Sequence, residues 1–231
     1  MKIAVIGAMN EEITFLKTKM DNLKEEKVFP YDFFTGNLYN NEIVLVESGI
    51  GKVSSGALFA TLVNKYKDLD VIFNVGVSGG VKGKTNTGDV VISSKFSYLD
   101  ADVRAFGYKY GQMAACPEYF LGDKEIIELL EKENFEFKKG MILSSDRFMT
   151  DHNFLDNILN EHFKEEDVYA VDMESTAFAQ MAHLFKKRFL AIRVISDVIG
   201  ENSQVEGYNS SLEYASVKSN EFLIKLLEKI K

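Results

Sequence analysis

Three carboxylates, Glu12, Glu174 and Asp197, each follow an apolar run of strand length. The first run is Ile3-Ala4-Val5-Ile6, turned by Gly7-Ala8-Met9-Asn10 ahead of Glu11 and Glu12. The second is Tyr169-Ala170-Val171, which stops at Asp172-Met173-Glu174-Ser175. The third is Phe189-Leu190-Ala191-Ile192-Arg193-Val194-Ile195, which stops at Ser196-Asp197. Near-continuous apolar strands are the kind buried on both faces of a parallel sheet. Ligands bind beyond the carboxyl ends of such strands. Acids meeting there, with Met9, Ile50, Phe148 and Met173 nearby, describe a partly apolar pocket with convergent carboxylates. Cleavage of a glycosidic bond needs this set. One carboxyl protonates the leaving group, another activates water, and negative charge suits an oxocarbenium-like sugar. Burial raises carboxyl pKa values and lets one acid keep its proton near neutrality. Glu12 also has a plainer reading, as an acid answering the dipole of the helix it begins.

The elements that must position these acids follow from periodicity. Ala177, Phe178, Met181, Leu184 and Phe185 recur at helical spacing, and Lys186-Lys187-Arg188 close that helix. A strand-helix-strand crossover predicts parallel strands, with Glu174 and Asp197 leaving the sheet at one edge. Asn10 is expected to cap the first helix, whose apolar face is Ile13, Leu16 and Met20. Residues 33–38 and 42–47 read as a hairpin around Asn40-Asn41. Ser48-Gly49-Ile50-Gly51-Lys52 then imitates a dinucleotide fingerprint, but Gly56 falls too late for it. The turn is a close backbone approach, either to a ligand or to a neighbouring helix. Val71-Ile72-Phe73-Asn74-Val75 is another buried strand, ending at Gly76-Val77-Ser78-Gly79-Gly80. Gly83-Lys84-Thr85 imitates a phosphate loop, yet a strand follows it instead of a helix. Residues 98–117 form a long connection carrying Phe106, Tyr108 and Tyr110. These rings line a pocket, cover a partner surface, or pack on the parent domain. From Asn209 the chain reads as one long packing helix.

With 231 residues and no Pro/Ser-rich linker, a single domain spanning residues 1–231 is expected. The net charge of −8 and pI near 5.1 repel phosphate backbones and anionic lipid, which argues against nucleic acid and membrane partners. Cys116 is the one cysteine, so no internal disulfide forms, and a cytoplasmic location is expected. His152, His162 and His183 have no cysteine neighbours and no metal-ligand spacing. No metal and no cofactor are expected.

Several stretches together resemble the 5′-methylthioadenosine/S-adenosylhomocysteine nucleosidases of the purine nucleoside phosphorylase and nucleosidase superfamily. They are residues 2–9 with Glu11-Glu12, 48–53, 74–80, 88–91, 100–112, 171–174 and 193–198. The Asp-Ala-Asp-Val, Phe-Gly-Tyr and Ile-Ser-Asp elements, in that order, are the specific ones. The resemblance implies an α/β domain with a mixed, barrel-like central sheet surrounded by helices. It implies hydrolysis of methylthioadenosine, S-adenosylhomocysteine and 5′-deoxyadenosine, with Glu12 activating water and Asp197, positioned by Ser196, protonating adenine N7. Glu174 is implied to bind the ribose hydroxyls beside Met173, with Arg193 near the water. Phe148 is implied to stack on adenine while the Met149 backbone reads its edge. Met9, Ile50, Met173 and Tyr208 are implied to wall the 5′-alkylthio group. Val103, Phe106 and Tyr108 match the segment lent across a homodimer interface to the neighbouring site. Val77 stands where the family usually carries a small hydroxyl residue, and Asp172 where a glutamate is usual. A phosphorylase, a nucleosidase for another purine nucleoside and a silent nucleoside-binding domain are the competing readings.

Overall fold

β1 (Lys2–Gly7) lies inside a ten-stranded sheet because both of its faces are apolar. Ile3 and Val5 enter one core cluster, Ala4 and Ile6 another. The computed structural model describes residues 1–230. After β1 come α1 (Asn10–Lys17), β2 (Asp21–Val28), β3 (Tyr31–Leu38), β4 (Asn41–Glu47) and α2 (Lys52–Lys65). Then follow β5 (Val71–Gly80), β6 (Val90–Tyr98), the two-residue β7 (Phe120–Leu121), α3 (Lys124–Lys132) and β8 (Lys138–Ser144). The last third holds α4 (His152–His162), β9 (Val168–Asp172), α5 (Ser175–Phe185), β10 (Phe189–Val198) and α6 (Gln204–Leu227).

The strand order is β10-β6-β8-β9-β5-β1-β4-β3-β2, with β7 beside β6. β10 also pairs with β5, which closes five strands into a barrel and leaves β1, β4, β3 and β2 as an open extension. The expected mixed, barrel-like sheet with surrounding helices is what forms. α1, α3 and α6 cover one side through Ile13, Leu16, Ile126, Leu130, Leu223 and Leu226. α2 and α5 cover another through Leu58, Phe59, Leu62 and Phe178. Among the described residues no helix is long and apolar enough to cross a membrane.

Three expectations need correction. β9 and β10 are not a parallel pair. β10 runs parallel to β5, whereas β9 runs antiparallel to β5 and parallel to β8. Barrel closure, rather than a shared sheet edge, therefore brings their ends together. Asn10 does not cap α1; Met9 holds the N-cap position with extended φ and ψ of −130° and 159°. The hairpin turn sits one residue early, at Tyr39-Asn40, with Tyr39 at a φ of 53°. Sequence periodicity passes over β2, because a charged, exposed edge strand has no apolar face to reveal it.

Candidate active site

One pocket gathers residues from the ends of β1, β5, β9 and β10, the loops after β4 and β8, and the starts of α1 and α6. Met9, Glu12, Ile50, Phe148, Met149, Met173, Glu174, Ser196, Asp197 and Tyr208 all line it.

Glu12 is in the first turn of α1 and is only 3% exposed. Its Oε2 accepts the Ala8 and Met9 N–H groups at 2.6 and 3.1 Å, and its Oε1 accepts Val77 N–H at 3.0 Å. The Met9 bond is the glutamate half of a capping box, so the dipole reading and a site role coexist in one side chain. A carboxylate offers about four acceptor sites, and three are occupied, leaving one for a ligand or water. Burial pushes the Glu12 carboxyl above its ordinary range, against the pull of Arg193 and the three N–H groups. The side chain lies flat against β5 because residue 76 is glycine; a Cβ there would overlap the carboxylate. Position 77 contributes its backbone N–H, so a hydroxyl is not needed for that contact.

Glu174 precedes α5 at a φ of −133°. Its Oε1 accepts Gly51 N–H at 2.9 Å. The glycine turn thus approaches a site carboxylate, and Gly49 and Gly51 take φ of 77° and 92° to do so. Burial, with Asp172 next to it, pushes Glu174 up to about 8. Beneath both acids lies a buried pair. Arg193 reaches Asp172 Oδ2 at 2.9–3.0 Å and also donates to the Asn74 carbonyl and side-chain oxygen. Asp172 Oδ1 accepts Ser144 Oγ at 2.5 Å and the Glu174 and Ser175 N–H groups at 3.3 Å. Arg193 therefore does not line the pocket; it is held below it, where its charge acts on Glu12 and Glu174.

Asp197 is 3% exposed. Its Oδ1 accepts from Ser196 Oγ at 2.6 Å and its Oδ2 from Gln204 Nε2 at 2.8 Å. Burial raises its pKa against those two donors. Opposite it, Phe148 and Tyr208 meet edge to face at 5.4 Å, and the Tyr208 hydroxyl reaches Met9 Sδ at 3.6 Å.

The phosphorylase superfamily profile matches residues 2–230. A 5′-methylthioadenosine/S-adenosylhomocysteine nucleosidase of Bacillus thuringiensis subsp. konkukian is 41% identical, over the full length of both chains. This chain belongs to that nucleosidase family. The S. pneumoniae nucleosidase, solved with the transition-state inhibitor MT-ImmA, superposes with a TM-score of 0.93 at 35% identity, covering all of both chains. The Colwellia psychrerythraea nucleosidase, solved with adenine, gives 0.92 at 32% identity, covering all of this chain and 96% of that one.

Val103, Phe106 and Tyr108 stand outside the pocket of their own chain, and Phe106 is 81% exposed. The aromatic loop divides: Tyr110 packs at home, stacked on His162 at 4.2 Å and bonded to the Leu99 carbonyl, while Phe106 faces solvent. Its base is tied to the pocket mouth by Lys52, which pairs with Asp100 at 2.8 Å and Asp146 at 3.5 Å. Sequence reasoning missed Gln204, Ser78 and Asn74, and assigned Asp172 no role in the site. The signal for Asp172 was present, as a second acid on the same strand end as Glu174. Gln204 had no signal, because the partners that place it in the site lie at positions 149, 197 and 200 and only the fold brings them together.

Two outcomes follow from the buried charges. Arg193→Met leaves Asp172 unpaired and should lower unfolding free energy by about 3–5 kcal/mol in denaturant titration. For Glu174, the folded-state pKa of about 8 lies above the ordinary 4.5, so the folded protein holds an extra proton between them. That contribution to stability is complete below 4.5 and is lost as pH rises through about 8. Glu174→Gln cannot ionise. Its Tm should match the wild type at acid pH and exceed it by a few degrees in alkaline buffer.

Proposed function

We propose that this chain hydrolyses the N-glycosidic bond of 5′-methylthioadenosine and S-adenosylhomocysteine, and of 5′-deoxyadenosine, releasing adenine and the sugar. The observation that carries the proposal is the pairing of two buried, raised-pKa carboxyls, Glu12 and Asp197, in one pocket with a third, Glu174. The names and bound ligands of the relatives support the same substrate class.

The geometry fits the roles. Glu12 has one acceptor site open for water, and its carboxylate is fixed by three N–H groups, so it acts as base without reorienting. Burial raises the Asp197 pKa, which favours its protonated form as the donor to adenine N7. Phe148 stacks on the base and the Met149 backbone reads its edge. Glu174, aimed by Gly51 and the Asp172 loop, takes the ribose hydroxyls. Met9, Ile50, Met173 and Tyr208 enclose the 5′ substituent.

A phosphorylase is the nearest rival within the superfamily. Phosphorolysis needs cationic groups aimed at an anion. Arg193, the cation acting on Glu12, is already engaged by Asp172 and Asn74, and Glu12 itself repels phosphate. Water is the better nucleophile. The exposed Phe106 on a loop anchored at the pocket mouth supports a homodimer in which Val103, Phe106 and Tyr108 complete the neighbouring site. A single cysteine and an acidic surface support a cytoplasmic location.

Product analysis on methylthioadenosine, with and without phosphate, tests the proposal. Adenine and free methylthioribose should form at the same rate in both; a sugar 1-phosphate appearing only with phosphate would replace hydrolysis by phosphorolysis. Glu12→Gln and Asp197→Asn should each lower kcat by about 10² or more while adenine binding stays measurable by calorimetry. Phe106→Ala should weaken the preference for methylthio over unsubstituted nucleosides, read as a ratio of kcat/KM values.

A further inference from the structure

Gln204, the first residue of α6, is 6% exposed and lines the pocket. Its side-chain amide is engaged at both ends. Nε2 donates to Asp197 Oδ2 at 2.8 Å and to the Met149 carbonyl at 2.7 Å. Oε1 accepts Gly200 N–H at 2.9 Å. That last bond fixes the orientation. A turned amide would set its oxygen against a carboxylate and a carbonyl, and its NH2 against an N–H. The Gly200 turn is held in its own right, at a φ of 82° and packed so closely on His152 that a Cβ would overlap the ring. One amide thus ties together the end of β10, the loop ahead of α4 and the turn into α6.

We infer that Gln204 is the positioning residue of the purine end of the pocket, holding Asp197 and the Met149 carbonyl as one fixed pair of acceptors. The inference rests on the reading that adenine binds against those two groups. A carbonyl offers two acceptor sites and a carboxylate about four. Gln204 occupies one on each and leaves others for the base. An incoming 6-aminopurine then meets both acceptors already at their spacing, with no reorganisation of the loop.

A donor that cannot turn also favours ionised over protonated Asp197, so Gln204 helps set the pH at which the acid is lost. The other groups acting on Asp197 are the Ser196 hydroxyl on its own strand, Glu201 ahead of α6 and Tyr208 on α6. Glu12, Glu174 and Arg147 complete the charged lining of the same pocket.

The test compares wild type with Gln204→Leu by adenine calorimetry and by the pH profile of kcat/KM on methylthioadenosine. Adenine should bind the variant about tenfold more weakly, the effect of losing one positioned hydrogen-bonding group. The alkaline limb of the profile should move up by about half a pH unit, because Asp197 loses a donor to its ionised form. The ratio of rates on methylthioadenosine and 5′-deoxyadenosine should not change, since the 5′ end is untouched. Unchanged adenine affinity with an unmoved limb overturns the inference. If Gln204→Leu does not fold, Gln204→Asn, whose amide is one carbon too short, is read the same way. A wild type that binds no adenine overturns the functional reading itself, whereas equal binding by wild type and variant with the same pH limb overturns the role of Gln204 alone.

Discussion

The buried pair between Arg193 and Asp172 is the constraint on which the site rests. Both side chains are 2% exposed, so neither charge can be left to water. A desolvated pair is tolerable only when its remaining donors and acceptors are met. Here Asn74 takes the rest of the guanidinium, and Ser144, Ser175 and the Glu174 backbone take the rest of the carboxylate. Each of those partners belongs to a different strand or to a helix start. Satisfying one ion pair therefore fixes β5, β8, β9 and β10 relative to one another. It also sets a positive charge under two acids, opposing the burial that raises the pKa of both. The same pair joins the strands through Arg193 and reaches the pocket lining through Asp172.

Barrel closure gives this pair its geometry. In an open parallel sheet, neighbouring strand ends line up along one edge. In this fold β9 runs against β10, and the two meet across the mouth of a ring. The register shift in β10 between Ile195 and Asp197 turns the strand end. Val194 faces the cluster under α6 and Ile195 the one under α5, while Asp197 two residues later lines the pocket. A bulge thus aims an acid that strict alternation would have placed elsewhere.

How much of this was legible in the sequence depended on range. Strands buried on both faces announce themselves as unbroken apolar runs, so β1, β5 and β10 could be read directly, with Glu12 just after β1 and Asp197 at the end of β10. The charged edge strand β2 could not, since exposure removes the pattern that periodicity detects. The antiparallel relation of β9 and β10 was also hidden, because it is decided by which third strand each one pairs with. Local patterning does not carry that information. Among site residues, Glu12, Glu174 and Asp197 were found from their place after strands. Gln204 was not, because its importance comes from three partners at positions 149, 197 and 200 that only the fold assembles. The glycine turn reads from sequence as a close approach to a ligand or to a neighbouring helix, and its partner is the Glu174 carboxylate.

Gly76 has a wider consequence. The Glu12 carboxylate occupies the space where any other residue at 76 would carry its first side-chain carbon. The two positions are therefore not free to vary separately. A lineage that exchanged Gly76 for alanine would have to move the acid first, and one that lost the acid would be released from needing the glycine. In sequence space the pair behaves as a single two-letter word. Each position thus carries a record of the other.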